Sequence, residues 1–251
     1  MQPSGTSNRP PFLTVGLGRA LDIGGSVTAL VIFSPLMLVI AAAIYLESGW
    51  PVLFAQYRIG QHGRPFRILK FRKFTTANGS SGMPLTLQDD ARLTRVGRIL
   101  RVAKFDELPQ LWNVLKGQMS IVGPRPESLA FSGCFCDGFE AVLQFKPGIF
   151  GPSQAAFRAE SEFYPSAADL DSFYKNVLFP LKALIDLKYY PNRTIFSDLV
   201  WIGASVLATL GWVLPLVPLQ EVRKRRMRYI VLTEPCGGSR GGTTLIDGGA
   251  I

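Results

Sequence analysis

An uncharged stretch of 24 residues near the N-terminus, residues 23–46, constrains the fold most strongly. As an α-helix it would be about 36 Å long, which exceeds the roughly 30 Å hydrocarbon core of a bilayer. Ser34 and Pro35 lie at its middle. Pro35 has no N–H for the carbonyl of Val31, and the Ser34 hydroxyl can bond a carbonyl one turn back. Both residues therefore favour a bend in a membrane helix.

The charges around this stretch leave two topologies open. Basic residues both precede and follow the stretch: Arg9, Arg19, Arg58, Arg64 and Arg67. Lys and Arg favour the cytoplasmic side of a membrane. A proline-kinked span would place one of the two basic flanks outside. A helix that enters, breaks at Ser34-Pro35 and returns would keep both flanks inside, and these residues alone favour neither topology.

The composition points to a membrane-associated chain with an anionic partner. Lys and Arg total 27 against 18 Asp and Glu, and 47% of the residues are hydrophobic while only 18% are charged. This apolar share argues against a disordered chain and against a freely soluble enzyme. The net charge of +9 indicates nucleic acid, a phosphorylated ligand or an acidic membrane surface as partner. His62 is the only histidine, so nucleophilic or acid–base chemistry falls to carboxylates.

Patterns after residue 50 predict a small α+β domain. Two runs joined by Gly and Pro turn residues over 52–74 predict a β-hairpin, and residues 89–116 and 164–198 have helical periodicity. The first of these helices carries basic residues at every third position: Arg95, Arg98, Arg101 and Lys104. Such a face is usually only solvated. Because it precedes the only Asp-Glu dipeptide, we interpret it as anion binding.

A second uncharged stretch lies at residues 199–219, followed by a basic cluster at 223–228. A true span would put that cluster on the wrong side of the membrane. The segment 199–230 is therefore predicted to lie on or dip into the cytoplasmic interface. A buried core helix is the alternative interpretation, and a membrane span is the third. Residues 1–18 read as a flexible arm, and the glycine-rich residues 231–251 read as a disordered tail.

The densest group of reactive residues lies between Arg101 and Glu127. Pro109 fits the first turn of a helix, which places Asp106 near an N-terminus where anions are favoured. Asp106 there could equally be a helix cap and nothing more. The loop at residues 123–126, GPRP, is stiffened by two prolines and presents Arg125, whose guanidinium matches phosphate oxygens. A carboxylate among arginines, with Mg²⁺ to neutralise charge, can attack phosphorus.

These motifs resemble those of the bacterial sugar transferases, the monotopic polyprenyl-phosphate glycosyl-1-phosphate transferases. The similarity runs from about residue 19 to about residue 212. It is carried by KFR at 70–72, DARLTRVG at 90–97, DELPQLWNVLKG at 106–117, SIVGPRP at 120–126 and KPGI at 146–149. The resemblance implies a mostly helical α+β fold in a monotopic membrane protein. Its segments would be a re-entrant helix-break-helix at 19–50, a cytoplasmic catalytic domain at 51–198 and the interfacial segment at 199–230.

The resemblance also implies a reaction at the cytoplasmic face of the bacterial inner membrane. Asp106 would attack the β-phosphorus of a UDP-sugar, release UMP and pass the sugar phosphate to polyprenyl phosphate. Glu107 would complete the dyad, and Mg²⁺ would bind at Asp106. Phosphate would be held by five basic residues: Lys70, Arg72, Arg95, Arg101 and Arg125. Inner-membrane lipid is a further expected partner, and a homodimer is left open.

Two other functions compete with this interpretation. A non-catalytic basic protein that binds anionic lipid would need no Asp106-Glu107 pair. A nucleic-acid binder fits the charge, but the apolar stretches and the lack of a recognition motif argue against it. The chain also departs from the family at two places. Phe150 stands where a small polar residue is common, and Lys73 follows Arg72 where serine is usual.

Overall fold

The computed structural model describes residues 12–75, 90–158, 160, 164 and 170–209. It is mostly helical, with one long apolar helix at the N-terminus, as the sequence predicts. The helices are α1 (Phe12–Ser48), α2 (Arg95–Ala103), α3 (Gln110–Leu115), α4 (Pro152–Ala156), α5 (Leu170–Phe173), α6 (Phe179–Tyr189) and α7 (Ile195–Thr209). The strands are β1 (Leu53–Ile59), β2 (Pro65–Phe71), β3 (Ser120–Val122) and β4 (Gly148–Phe150).

Helix α1 is the one helix in the described ranges that is long and apolar enough to cross a membrane. Its helical backbone runs through Pro35 without interruption, so the predicted break does not appear as a gap in the helix. The Ser34 hydroxyl donates to the Val31 carbonyl over 2.8 Å, as expected. This is the carbonyl that loses its usual N–H partner because residue 35 is proline. The carbonyl is thereby satisfied inside an apolar segment.

The N-terminal part of α1 is tied to the rest of the chain by polar contacts. The Arg19 guanidinium donates to the Val114 carbonyl at the end of α3, over 2.7 Å. The Asp22 carboxylate accepts the Ser120 hydroxyl at 2.9 Å and the Ile121 N–H at 2.8 Å. Burying the charged side chains of Arg19 and Asp22 on an apolar helix would be costly without hydrogen-bond partners. These partners come from the domain that follows.

The C-terminal part of α1 contacts the same domain. The Glu47 carboxylate accepts the backbone N–H groups of Arg95 and Val96 at 2.7 and 3.0 Å, where an anion suits the start of α2. Ile40 and Ile44 are buried in a core cluster with residues of the hairpin and α2. The N-terminal and C-terminal parts of α1 therefore both contact the domain that follows it.

Two short sheets bring the sequence motifs together. Strands β1 and β2 pair antiparallel, which confirms the hairpin predicted at 52–74. Strands β3 and β4 pair in parallel and set the GPRP loop beside the KPGI segment. A Cβ on Gly148 would lie 2.0 Å from the Gly123 nitrogen, and a Cβ on Gly123 would lie 2.2 Å from the Lys146 carbonyl oxygen. Both motifs need glycine because their backbones touch.

The helical region predicted at 89–116 contains two helices, α2 and α3, and α3 begins directly after Pro109, in agreement with the new helix predicted there. Helix α2 is capped by Thr94, whose hydroxyl oxygen accepts the Gly97 N–H at 2.8 Å, and it ends where Lys104 adopts a left-handed conformation with φ 59°. A single 3₁₀ turn, Phe105–Glu107, follows before α3. Left-handed backbone at a non-glycine residue leaves no trace in hydrophobic periodicity.

The predicted segment boundaries meet the described residues only in part. Helix α1 begins at Phe12, inside the segment predicted as a flexible arm. Residues 1–11, residues 210–230 and the predicted tail at 231–251 lie outside the described residues. The helical region predicted at 164–198 contains α5, a π-helical turn, α6 and the start of α7. Tyr174 and Phe179 from this region pack with Phe131 in the largest core cluster of the described residues.

Candidate active site

A cavity of about 720 Å³ opens among the hairpin, the turn before α3, the GPRP loop and α4. Its lining is rich in cations: Arg58, Arg67, Lys70, Arg72, Lys73, Arg92, Arg101, Lys104, Arg125, Arg158 and Lys182. The carboxylates in the lining are Glu107, Glu127 and Glu160. Such an excess of positive charge favours an anionic ligand.

The 3₁₀ turn before α3 places Asp106 directly beneath this cavity. The left-handed Lys104 redirects the chain, and its carbonyl accepts the Glu107 N–H at 3.2 Å. The Asp106 side chain is only 2% exposed and is not part of the cavity lining. Its Oδ2 accepts the Lys73 ammonium at 3.2 Å. Its Oδ1 is buried and has no hydrogen-bond partner among the described residues.

Glu107 lies in the cavity lining between two cations. Its Oε1 is 3.0 Å from Lys70 Nζ and 3.9 Å from the Arg125 guanidinium. Burial raises the pKa of Glu107, but the charges of Lys70, Lys104 and Arg125 outweigh burial and hold it well below its usual range. Burial lowers the pKa of Lys70 to about 8, although Glu107 opposes that shift. Glu107 is therefore ionised throughout the physiological range.

Arg125 is positioned by the contact between β3 and β4. The Gly123 N–H donates to the Phe150 carbonyl at 3.0 Å, and the Gly148 N–H donates to the Pro124 carbonyl at 2.9 Å. These bonds hold the loop on both sides of the arginine. Burial lowers the pKa of Arg125, but nearby carboxylates, Glu107 foremost, raise it above its usual value. Arg125 is a permanent cation in the cavity.

The other sequence-predicted phosphate ligands are divided by the structure. Arg101 lines the cavity with Lys70 and Arg125. Arg72 also borders it, but its guanidinium donates to the carbonyls of Ser48 and Gly49 at 2.9 and 2.7 Å, so it ties the hairpin to the end of α1. Arg95 is exposed at the first turn of α2 and is not part of the cavity lining.

Sequence reasoning missed several of the cavity cations, among them Lys73, Arg58 and Arg158. Lys73 follows the KFR motif directly, so its position beside β2 was a usable signal. Arg58 belongs to β1, and burial lowers its pKa, with nearby Arg125 adding to the shift. Arg158 donates to the Val102 carbonyl at 2.7 Å and to the Thr209 carbonyl at 3.1 Å. No local pattern in the sequence indicates contacts between residues that are 56 and 51 positions apart.

A second ionic cluster at the cavity wall is centred on Lys182. The Lys182 ammonium donates to Glu127 Oε1 at 3.2 Å, to Glu160 Oε2 at 3.1 Å and to the Tyr174 hydroxyl at 2.9 Å. The Tyr174 hydroxyl donates in turn to Glu127 Oε2. Burial opposes ionisation of Glu160, but Lys182 and Arg125 hold its pKa at about 2. In this cluster the single ammonium is shared by two carboxylates, so it leaves no positive charge for a ligand.

The donor set suits a magnesium ion that is shared with a substrate. Within the described ranges, no group of three or more His, Cys, Asp or Glu side chains could hold a metal ion. Mg²⁺ commonly binds through one or two carboxylates together with substrate phosphates and water. The unpartnered Oδ1 of Asp106 is a hard oxygen donor of the required kind. The residues therefore fit Mg²⁺ bound by Asp106 and a phosphate, rather than by protein alone.

Comparison with known proteins decides the family. The family model described as "Bacterial sugar transferase" matches residues 14–211. The chain belongs to the bacterial sugar transferase family. The resemblance drawn from the sequence motifs is confirmed, and the matched region holds both the cavity and the described part of α1 from residue 14 onward.

Several bacterial sugar transferases and related proteins are similar over this region. The UDP-N-acetylgalactosamine-undecaprenyl-phosphate N-acetylgalactosaminephosphotransferase of Aeromonas hydrophila is 40% identical over 189 residues, which cover 71% of this chain and 43% of the relative. The UDP-glucose:undecaprenyl-phosphate glucose-1-phosphate transferase of Caulobacter vibrioides is 44% identical over 139 residues, or 54% and 52% of the two chains. This chain thus spans about half the length of these two relatives.

A third relative is matched over nearly its full length. The exopolysaccharide production protein PSS of Rhizobium leguminosarum bv. phaseoli is 47% identical over 201 residues, which cover 77% of this chain and 95% of that protein. The names of the first two relatives state a sugar phosphate transfer to undecaprenyl phosphate. The name of the third states a role in exopolysaccharide production.

Proposed function

We propose that this chain transfers a sugar-1-phosphate from a UDP-sugar to a polyprenyl phosphate such as undecaprenyl phosphate. This would be the first membrane step of exopolysaccharide, capsule, O-antigen or glycan synthesis. The observation that carries the proposal is the Asp106-Glu107 turn beneath a cation-lined cavity. The pair combines a carboxylate that has a free oxygen with a carboxylate that anchors cations. The names of the relatives support the choice of substrates.

The first step is attack by a carboxylate oxygen of Asp106 on the β-phosphorus of the UDP-sugar. An oxygen–phosphorus bond forms to Asp106, and the bond from the β-phosphorus to the bridging oxygen breaks. UMP leaves with that oxygen. Lys70, Arg101 and Arg125 line the cavity. We assign them to the diphosphate, where their charges would stabilise the negative charge that moves to UMP.

The second step returns Asp106 to its starting state. A phosphate oxygen of the polyprenyl phosphate attacks the same phosphorus, and the bond to Asp106 breaks. The products are polyprenyl diphosphate-sugar and a free Asp106 carboxylate. Because the pKa of Glu107 is so low, Glu107 is a weak base. We assign it to holding Lys70 and Arg125 in position.

Magnesium would bind at Asp106. The ion would supply charge neutralisation between the anionic carboxylate and the anionic diphosphate. Asp106 would offer it Oδ1, and substrate phosphates and water would supply the other ligands. The cations of the cavity do the remaining neutralisation.

For the membrane, we propose that α1 enters and leaves the cytoplasmic leaflet. Arg19 and Glu47 lie about 42 Å apart along a straight helix, yet both contact one domain. A straight span would place its ends on opposite sides of the bilayer. Residues 31–35, around the proposed bend, are exposed on all faces. This pattern supports re-entry at Ser34-Pro35, with the catalytic domain at the cytoplasmic face of the inner membrane.

Helix α7 supports an interfacial position for the start of the segment 199–230. Phe196 and Leu199 are 77% and 60% exposed. Val102, near the end of α2, is 70% exposed, and Arg158 bridges its carbonyl to that of Thr209. Val102 therefore lies near the C-terminal end of α7, whereas Phe196 and Leu199 lie in its first turns. A lipid surface would cover these exposed apolar side chains.

Single cysteines test the topology. They are placed near Ser7 and at residues 76–82, in a background without the three native cysteines, and exposed to a membrane-impermeant thiol reagent on intact cells. Re-entry predicts that neither is labelled until the cells are opened. Labelling near Ser7 alone in intact cells would show a full span. Replacing Ser34-Pro35 by Ala-Leu should tend to expose the N-terminus, because the helix then crosses without a bend.

UMP release tests the function. The full chain is incubated with polyprenyl phosphate, Mg²⁺ and a panel of UDP-sugars that begins with UDP-glucose and UDP-N-acetylgalactosamine. We expect UMP with at least one donor, in an amount that matches the lipid-linked sugar phosphate. Binding to anionic vesicles without UMP release from any donor would instead support the non-catalytic lipid-binding alternative. The homodimer remains a prediction for size measurements in detergent.

A further inference from the structure

We propose that Lys73 covers the nucleophile Asp106 and competes with a divalent cation for its carboxylate, so that the cation binds well only after Lys73 has turned to a substrate phosphate. The inference rests on the proposed role of Asp106. It assigns to Lys73 a positioning role, which acts through Asp106 and not on the reacting phosphorus.

The contact itself is well defined. Lys73 Nζ lies 3.2 Å from Asp106 Oδ2, and within the described ranges it is the cation that pairs with this carboxylate. The Lys73 side chain is 18% exposed and Asp106 is 2% exposed. Lys73 lines the cavity and Asp106 does not. A ligand in the cavity therefore meets the ammonium before it meets the carboxylate.

The backbone of Lys73 is fixed, so only its side chain can move. The Lys73 carbonyl accepts the Thr94 N–H at 3.0 Å. A Cβ on Gly97 would lie 2.1 Å from the same carbonyl oxygen, so the first turn of α2 packs directly on this backbone. The long lysine side chain can swing from Asp106 to a phosphate without moving strand or helix. This arrangement suits a cover that opens when substrate arrives.

Charge explains the competition. An ammonium that pairs with Oδ2 repels a divalent ion that approaches Oδ1 of the same carboxylate. At about 5 Å, a unit charge costs a divalent cation more than a factor of ten in affinity even at the dielectric constant of water. An arriving diphosphate offers Lys73 another anion and frees Asp106. Metal loading and substrate binding are thereby coupled.

The test measures Mn²⁺ binding without nucleotide or lipid, using the full chain in detergent and the electron paramagnetic resonance signal of free Mn²⁺. Lys73→Gln keeps a hydrogen-bond donor to Asp106 and removes the charge. We expect it to bind Mn²⁺ at least about tenfold more tightly than the native chain. Lys73→Arg keeps the charge and should match the native chain. Adding Asp106→Asn to Lys73→Gln should abolish the gain.

Two further variants serve as a charge control and as a substitute for Lys73→Gln. Lys116→Gln removes one positive charge outside the cavity, where Lys116 Nζ lies 5.7 Å from the centre of the Trp112 ring, and it should leave Mn²⁺ affinity unchanged. Lys73→Ser serves if Lys73→Gln does not fold. Equal Mn²⁺ affinity in native, Lys73→Gln and Lys73→Ser chains would overturn the proposal, as would a gain that survives Asp106→Asn. UMP release by the native chain is decided separately, so failure here leaves the proposed function standing.

Discussion

Two ionic clusters border the same cavity, and they differ in charge balance and exposure. In the Glu107 cluster, Asp106 and Glu107 face Lys70, Lys73 and Arg125, with Arg101 and Lys104 near by, so cations exceed carboxylates. In the Lys182 cluster, one ammonium serves Glu127, Glu160 and the Tyr174 hydroxyl. The first has positive charge to spare for a ligand. In the second cluster the charged groups pair with one another, as is typical of a structural network. Changes in the Glu107 cluster should therefore affect activity, and changes in the Lys182 cluster should affect stability.

The largest effect is expected from Asp106→Asn. The variant removes the nucleophilic oxygen with little change in shape, so UMP release should fall by at least about a thousandfold. The melting temperature should change little, because the asparagine oxygen can still accept the hydrogen bond from Lys73, and Oδ1 makes no hydrogen bond to the described residues that would be lost. An Asn variant that releases UMP at a near-normal rate would remove Asp106 from the mechanism.

The Lys182 cluster should respond in the opposite way. Lys182→Met leaves Glu127 and Glu160 without their cation. Lys182 and Glu127 are 4% and 7% exposed, so the free energy of unfolding should fall by about 3–5 kcal/mol. Urea unfolding in detergent measures this. The triple variant with Glu127→Gln and Glu160→Gln should recover much of the loss, and full stability in Lys182→Met alone would show that the cluster is not structural.

Arg125→Lys should reduce activity by roughly ten- to a hundredfold, because lysine cannot reproduce the bidentate contact of guanidinium with phosphate. Stability should be nearly unchanged, since the loop is held by the backbone bonds of Gly123 and Gly148. Steady-state UMP release and thermal unfolding are compared on the same sample. A lower melting temperature with unchanged activity would show that Arg125 stabilises the fold and does not bind the substrate.

The smallest effect concerns pH. The pKa of Lys70 is lowered to about 8, so its ammonium is lost as the pH rises through that value, and UMP release should halve near pH 8 and fall further above it. Lys70→Arg should remove this decline, because arginine stays charged past pH 12. The folded pKa lies below the unfolded value of 10.5. The buried Lys70 ammonium therefore costs stability at neutral pH, and the free energy of unfolding should rise as the pH increases from about 8 to 10.5. An activity loss that persists in Lys70→Arg would contradict the assignment.

The sequence predicted what local patterns can carry. The hairpin at 52–74 and the hydrogen bond from the Ser34 hydroxyl to the Val31 carbonyl follow from short motifs and turn residues. The resemblance supplied the grouping of distant motifs, which two touching glycines, Gly123 and Gly148, explain in the structure.

Other features depend on contacts that no local pattern encodes. The left-handed Lys104 breaks a helix whose periodicity continues across it. Lys182 reaches Glu127 across 55 positions of sequence. Arg72 belongs to a basic motif, yet its guanidinium donates hydrogen bonds to backbone carbonyls at the end of α1. In each case tertiary packing decides which charge is structural and which is available.

The central claim is that Asp106 carries the phosphosugar between the two substrates. Intact mass spectrometry of the full chain tests it after incubation with Mg²⁺ and the UDP-sugar that gives UMP, without polyprenyl phosphate. The account predicts an added mass of one sugar phosphate, located on the peptide that contains Asp106, absent from Asp106→Asn and discharged when polyprenyl phosphate is added. Transfer to the lipid at full rate with no such adduct, or an adduct that persists in Asp106→Asn, would contradict it.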